Sequence, residues 1–218
     1  MPINRSVIGG FLAVLLLCFS APARAQNVVV TYYSRTGHTK AMAEAVAKGA
    51  RSVPGAHVRL LTIDKTAAND LLWADAIILG SPVYNANAAP PVLESLLKWP
   101  FGRLQNRVGA VFVTGGWISG GQELTEMHLV ASMLEFGLIV VGGEGPAPFG
   151  AAAITEEPPF DRKGKGAVDP QFLARGEALG HRVAEVALWL RSGRPQPTEP
   201  MPAPTVRPPA ATPSKSSH

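Results

Sequence analysis

The chain has 218 residues, of which 46% are hydrophobic and only 17% charged, with a formal net charge of +4. The excess of base lies at the ends: residues 1–25 contain Arg5 and Arg24 and no acid, and residues 193–218 contain Arg194, Arg207 and Lys215 against Glu199. The region between is charge-balanced and declares no basic face, which excludes a nucleic-acid-binding reading, and the length suits one globular domain with flanking segments.

At the N-terminus, Arg5, the apolar run Val7 to Phe19 and Ala23-Arg24-Ala25 read as a secretory signal cleaved before Gln26. The run is short for a membrane span, so the expected location is secreted or periplasmic, with an uncleaved membrane anchor as the alternative. The sole cysteine, Cys18, lies inside this run. Cleavage therefore leaves no disulfide, no thiol nucleophile and no thiolate metal site.

From 26 to 192 strands and helices alternate. Val28 to Tyr33 is a buried β-branched and aromatic strand. Thr39 to Arg51 is a helix with Met42, Ala43, Val46 and Ala50 on one face. His57 to Thr62 is a strand, Ala67 to Trp73 a short helix, and Ala76 to Leu79 a strand ending at Gly80-Ser81-Pro82. Pro91 to Trp99 is a helix with proline in its first turn. Val108 to Thr114 is a fourth strand, Gln122 to Phe136 a helix closed by Gly137, Leu138 to Val141 a fifth strand, and Gln171 to Arg191 the last helix. Residues 193–218 hold eight prolines and are expected to form an extended tail without a core.

Five apolar strands separated by helices imply an α/β three-layer sandwich with a parallel sheet covered on both faces. The commonest five-stranded order is 2-1-3-4-5, and ligands bind at the carboxyl ends of such strands, near the switch between strands 1 and 3. Three unusual loops fall at those ends: 34–39, 81–90 and 115–121. In the first, Ser34, Thr36 and Thr39 offer three hydroxyls at a helix start, whose free N–H groups attract anions. Gly37 lets the backbone approach a ligand. Arg35 and Lys40 add charge, and His38 offers its backbone amide. The loop has neither the Gly-Lys-Ser/Thr of a triphosphate loop nor G-x-G-x-x-G, so a terminal monophosphate fits better than a pyrophosphate. An ordinary strand-to-helix turn capped by threonine is the alternative. The scattered histidines form no metal set.

The stretch VVVTYYSRTGHTKAMAEAVAKGA (28–50), followed by GSPVYNAN (80–87), TGGWISGGQE (114–123) and PFGAAAI (148–154), resembles the flavodoxin-like proteins, and among them the WrbA-type NAD(P)H:quinone oxidoreductases. The resemblance spans nearly all of 27–192. It implies a flavodoxin-like fold, FMN as a non-covalent cofactor, reduction of quinones by NADH or NADPH, and a homo-oligomer, a tetramer or a dimer. It also implies the site: Ser34, Arg35, Thr36, Gly37, His38 and Thr39 on the phosphate; Pro82, Val83, Tyr84 and Asn85 along the isoalloxazine ring with Asn87 nearby; Thr114, Gly115, Gly116, Trp117, Gly120 and Gly121 as the third wall. Tyr84 offers a stacking face. Trp99 matches a pocket tryptophan of the family, with a helix-end core residue as the alternative.

Three departures matter. The loop after strand 4 is one residue longer than the family's, so Trp117-Ile118 make a bulkier wall. Glu135 stands where the family has a histidine near the flavin, placing a carboxyl there unless it points to solvent. The family's long insertion between strands 2 and 3 is absent, since only Ile63 to Asp75 joins them. No catalytic side chain is assigned, because FMN carries the chemistry and the protein positions it. The alternatives are an exported FMN electron carrier without its own NAD(P)H activity, and a non-redox module that keeps the fold.

Overall fold

The computed structural model describes residues 25–145 and 147–193. The expected signal segment, all but its last residue, and all but the first residue of the expected tail lie outside the described residues. Among the described residues no helix is long and apolar enough to cross a membrane.

Strands β1 (Gln26–Tyr32), β2 (Ala56–Thr62), β3 (Ala76–Tyr84) and β5 (Val108–Gly115) form the body of the sheet. Its order is β2-β1-β3-β5-β6, all parallel, where β6 (Ile139–Val140) is the fifth position. This is the expected 2-1-3-4-5 order. The helices are α1 (His38–Arg51), α2 (Ala68–Trp73), α3 (Pro90–Leu96), α4 (Gln122–Glu135) and α5 (Pro170–Ser192).

The strands' period-2 side-chain alternation builds two cores, one on each face. Val28, Val30, Ile78, Ala110 and Phe112 face α1 and α5. Val29, Ile77, Leu79, Val111 and Val113 face the side of α2, α3 and α4. All ten side chains are fully buried, which is why these strands read as unbroken apolar runs.

Two short strands go beyond the sequence reading. The loop expected at 81–90 is instead a hairpin: β3 continues to Tyr84 and turns at Asn85 and Ala86, with φ of 51° and 57°. It then pairs antiparallel with β4 (Asn87–Ala88). Two consecutive left-handed residues are what a tight two-residue hairpin demands. The fifth sheet position is split as well. β6 pairs with Val108 and Gly109, the chain then leaves the sheet, and β7 (Ala151–Ile154) rejoins it beside Phe112 to Gly115.

Candidate functional site

The carboxyl ends of β1, β3 and β5 bring the three loops together. The 34–39 loop leads from β1 into α1, which begins at His38 with Gly37 as N-cap in the left-handed region, φ 106°. No side chain of Gly37 exists to cap the helix, and Ser34 does part of that work: its Oγ accepts from the amides of Gly37 (3.1 Å) and Lys40 (3.2 Å). With its lone pairs so engaged, the Ser34 hydroxyl keeps its proton to donate outward. Thr36 Oγ1 lies 3.1 Å from His38 Nδ1. There is no acid in the first turn of α1, so no carboxylate of that turn opposes an anion at the positive end of the helix dipole.

Thr39 is the second residue of α1, at the helix start. It is buried, and its hydroxyl pairs with that of Thr114 at 2.8 Å. This bond ties the first loop to the end of β5 and makes Thr39 a structural link as well as a candidate donor.

Pro82, Val83 and Tyr84 lie within β3 rather than in a loop, Asn85 sits at the hairpin tip, and Asn87 opens β4. Ser81, missed by the sequence reading, fixes the hairpin's base: its hydroxyl donates to the Pro82 carbonyl and accepts from the Ala89 amide. Thr114 and Gly115 end β5, and the 116–121 loop returns to α4. A Cβ on Gly121, at φ 94°, would stand 2.4 Å from the Cβ of Ala86. Loop and hairpin thus meet in van der Waals contact. Gln122 Nε2 donates to the Trp117 carbonyl at 2.6 Å, bracing the loop from below. Trp117 (63% exposed) and Ile118 (52%) stand out at its rim.

A fourth segment, 155–167, completes the site and was not singled out from sequence. The Thr155 and Glu156 amides donate to the Gly115 and Gly116 carbonyls, and Glu157 Oε2 accepts from the Ile118 amide at 2.6 Å. Farther on, Gly166 closes directly on the first loop: a Cβ there would stand 2.8 Å from the carbonyl carbon of Gly37. Arg162 and Asp169 anchor this segment to α5, where Asp169 Oδ1 also accepts from the Gln171 amide at 2.9 Å. That amide first, and Arg162 with it, hold the Asp169 carboxyl below the usual carboxylate range. Lys163 and Lys165 are exposed on the same segment. The signal in the sequence was Gly164-Lys-Gly166, two glycines that both adopt positive φ.

All the residues expected to contact a cofactor therefore gather at one end of the sheet. Glu135 and Trp99 do not join them. Glu135 is the last residue of α4, about 21 Å of helix away from Gly121, and lies beside Phe136, Leu97 and Phe101. Its charge does not stand beside this chain's own site. Trp99 is 7% exposed and packs against Phe136 at 5.4 Å between ring centroids, as a core residue.

The architecture is shared with known proteins. Residues 65–151 match the family described as NADPH-dependent FMN reductase. The chain is 32% identical over 207 residues to an NAD(P)H dehydrogenase (quinone) of Acidovorax ebreus, covering 77% of this chain and 99% of the relative. It is 36% identical to a flavodoxin of Aquifex aeolicus over 119 residues, 53% of this chain and 64% of that protein. Among solved structures, a WrbA-like flavodoxin of Agrobacterium tumefaciens superposes with a TM-score of 0.57 at 27% identity, over 75% of this chain and 98% of that one.

Proposed function

We propose that this chain, which belongs to the flavodoxin-like NAD(P)H dehydrogenase (quinone) family, binds FMN at the carboxyl end of its sheet and transfers two electrons from NADH or NADPH to a quinone. The observation that carries the reading is the acid-free start of α1, with the Ser34 hydroxyl presented outward and two further walls converging beside it. That donor set fits a phosphate monoester: hydroxyl and backbone N–H donors with exposed Arg35 and Lys40 nearby, and no opposing carboxylate in the helix's first turn.

In this reading Ser34, Thr36 and the amides of the 34–39 loop hold the phosphate, with Arg35 and His38 at its edge and Thr39 locking the loop to Thr114. Pro82 to Asn85, with Asn87, offer strand and hairpin backbone to the edge of a ring, and Tyr84 offers a face. Gly115, Gly116, Gly120 and Gly121 present backbone without side chains as the opposite wall, closed at the rim by Trp117. FMN when bound supplies the redox chemistry, accepting a hydride equivalent and delivering two electrons to the acceptor. No side chain of the chain is assigned a proton-transfer step.

The export expectation for residues 1–25 and the exposed Trp117-Ile118 rim favour a second reading, an FMN carrier reduced by another protein rather than by a nicotinamide. Stopped-flow absorbance on the purified full chain separates the two. The oxidoreductase reading expects a yellow protein bleached by NADH or NADPH and reoxidised by a soluble quinone. A flavin left oxidised by both nucleotides yet reduced by a protein donor gives the carrier. A chain that stays colourless after incubation with excess FMN removes both and leaves a binding module.

A further inference from the structure

A cavity of about 390 Å³ opens at the edge of the sheet between residues 118–121, the start of α4, residues 147–150, β7 and α5. Leu124, Phe149, Ile154 and Phe172 give it apolar walls. Glu126 also lines it, yet this residue is only 4% exposed and its Oε1 is buried without a hydrogen-bond partner. Among the described residues no ion pair reaches it. Gln122, one turn earlier, has its amide committed to the Trp117 carbonyl. The other charged groups lining the cavity are Glu123 on the same helix and Arg175 on α5, whose guanidinium lies over the Phe172 ring, 5.5 Å from its centroid. Residues 147–154 contribute no ionisable side chain.

Arg175 lines the same cavity but forms no ion pair with Glu126 among the described residues, and a carboxylate taken out of water without a hydrogen-bond donor or ion-pair partner is strongly disfavoured. The cavity therefore carries an unmet demand for a positive N–H group, set among apolar and aromatic walls that suit a hydrocarbon stem. An anion would meet two carboxyl groups against the single guanidinium of Arg175, and a purely apolar molecule would leave Glu126 unmatched.

We propose that this cavity is a binding site for a small primary amine, held as its ammonium ion with N–H donated to the Glu126 carboxylate and its hydrocarbon part between Phe149, Ile154 and Phe172. The cavity borders the 116–121 loop through Ile118 and Gly121 but includes no residue of the phosphate loop, and the proposal does not rest on the flavin reading. Burial first, and Glu123 after it, push the Glu126 carboxyl up to about 7. The carboxylate that an ammonium ion needs is thus formed across the neutral range.

Isothermal titration of the full chain with benzylammonium, and with benzyl alcohol as its neutral counterpart, tests this. Near pH 8 the ammonium is expected to bind saturably at one site, at least about tenfold tighter than the alcohol. Glu126→Gln, checked for folding by circular dichroism, removes that advantage, while Glu123→Gln keeps most of it. In the unaltered chain the affinity for benzylammonium rises roughly tenfold from about pH 6 to about pH 8 as the carboxyl ionises. Absence of saturable binding, equal binding of the alcohol, an unaffected Glu126→Gln variant, or a flat pH series each overturns the proposal. The pH series needs no variant, and the titrations repeat with and without FMN, so a failure of flavin binding is read separately.

Discussion

Two buried polar arrangements in this chain show opposite solutions to one problem. At the carboxyl end of the sheet, Thr39 and Thr114 are both buried and answer each other's hydroxyl at 2.8 Å. At the edge of the sheet, Glu126 is as deeply buried and its Oε1 is answered by nothing. A paired hydroxyl costs little and fixes two loops relative to one another. An unpaired carboxyl costs stability and holds on to its proton instead. The first arrangement ties two loops together, and the second leaves an unmatched carboxyl that opposes folding once it ionises.

The contrast can be broken most forcefully at Glu126. Its folded-state pKa, about 7 against an ordinary 4.5, means that the native state keeps a proton the unfolded chain releases. Stability from this group is therefore full below the unfolded value, declines as pH rises through the folded value, and is lost above it. Glu126→Gln removes the penalty, and urea unfolding should show a gain of about 2 kcal/mol near pH 8 that vanishes near pH 4. A gain equal at both pH values would mean that the carboxyl is not desolvated in solution.

The Thr pair gives the next effect. Thr114→Val leaves the Thr39 hydroxyl buried and unmatched, and should cost about 1–2 kcal/mol in the same measurement. The double variant Thr39→Val/Thr114→Val should cost less than the two singles summed, by about 1 kcal/mol. Additive losses would show that the bond does not form.

The smallest change tests the cradle without disturbing the fold. Ser34 holds two backbone amides and Thr36 none, so Thr36→Ala is the cleaner probe. It should weaken FMN roughly tenfold, equivalent to about 1.4 kcal/mol, and leave riboflavin, which lacks the phosphate, unchanged. Fluorescence titration with both flavins reads this. Equal losses for both would detach Thr36 from the phosphate.

Much of this arrangement could be read from the chain itself. Val28 to Val30, Ile77 to Leu79 and Val111 to Val113 are so continuously apolar that only a sheet covered on both faces accommodates them, and the order of elements then gives the topology. Sequence reasoning stopped β3 at Gly80-Ser81-Pro82 because those residues mark turns, whereas Ser81 is held in register by its bonds to Pro82 and Ala89. Nothing local announces that Ala86 adopts φ 57°, since alanine has no preference for that region. β7, Ala-Ala-Ala-Ile, has too little β-branching to read as a strand and becomes one only by pairing with β5. The Gly37–Gly166 contact joins residues far apart in sequence and left only the glycines as a trace. Glu126 was not singled out from sequence, although Gln122, Thr125, Glu126, Leu129 and Met133 fall at i, i+3, i+4, i+7 and i+11, the buried face of α4. A single acid on that stripe is the visible signal of the cavity at the sheet edge.

The split fifth strand has a further consequence for how copies of this chain behave towards one another. An edge strand with free backbone groups is a template on which other chains can polymerise. Here one edge consists of a two-residue and a four-residue piece separated by residues 141–150, and the other, β2, sets exposed His57 and Arg59 along its length. Neither edge offers a long, flat, apolar ribbon. Strand-to-strand growth between copies of this chain is thereby disfavoured at both margins of its sheet.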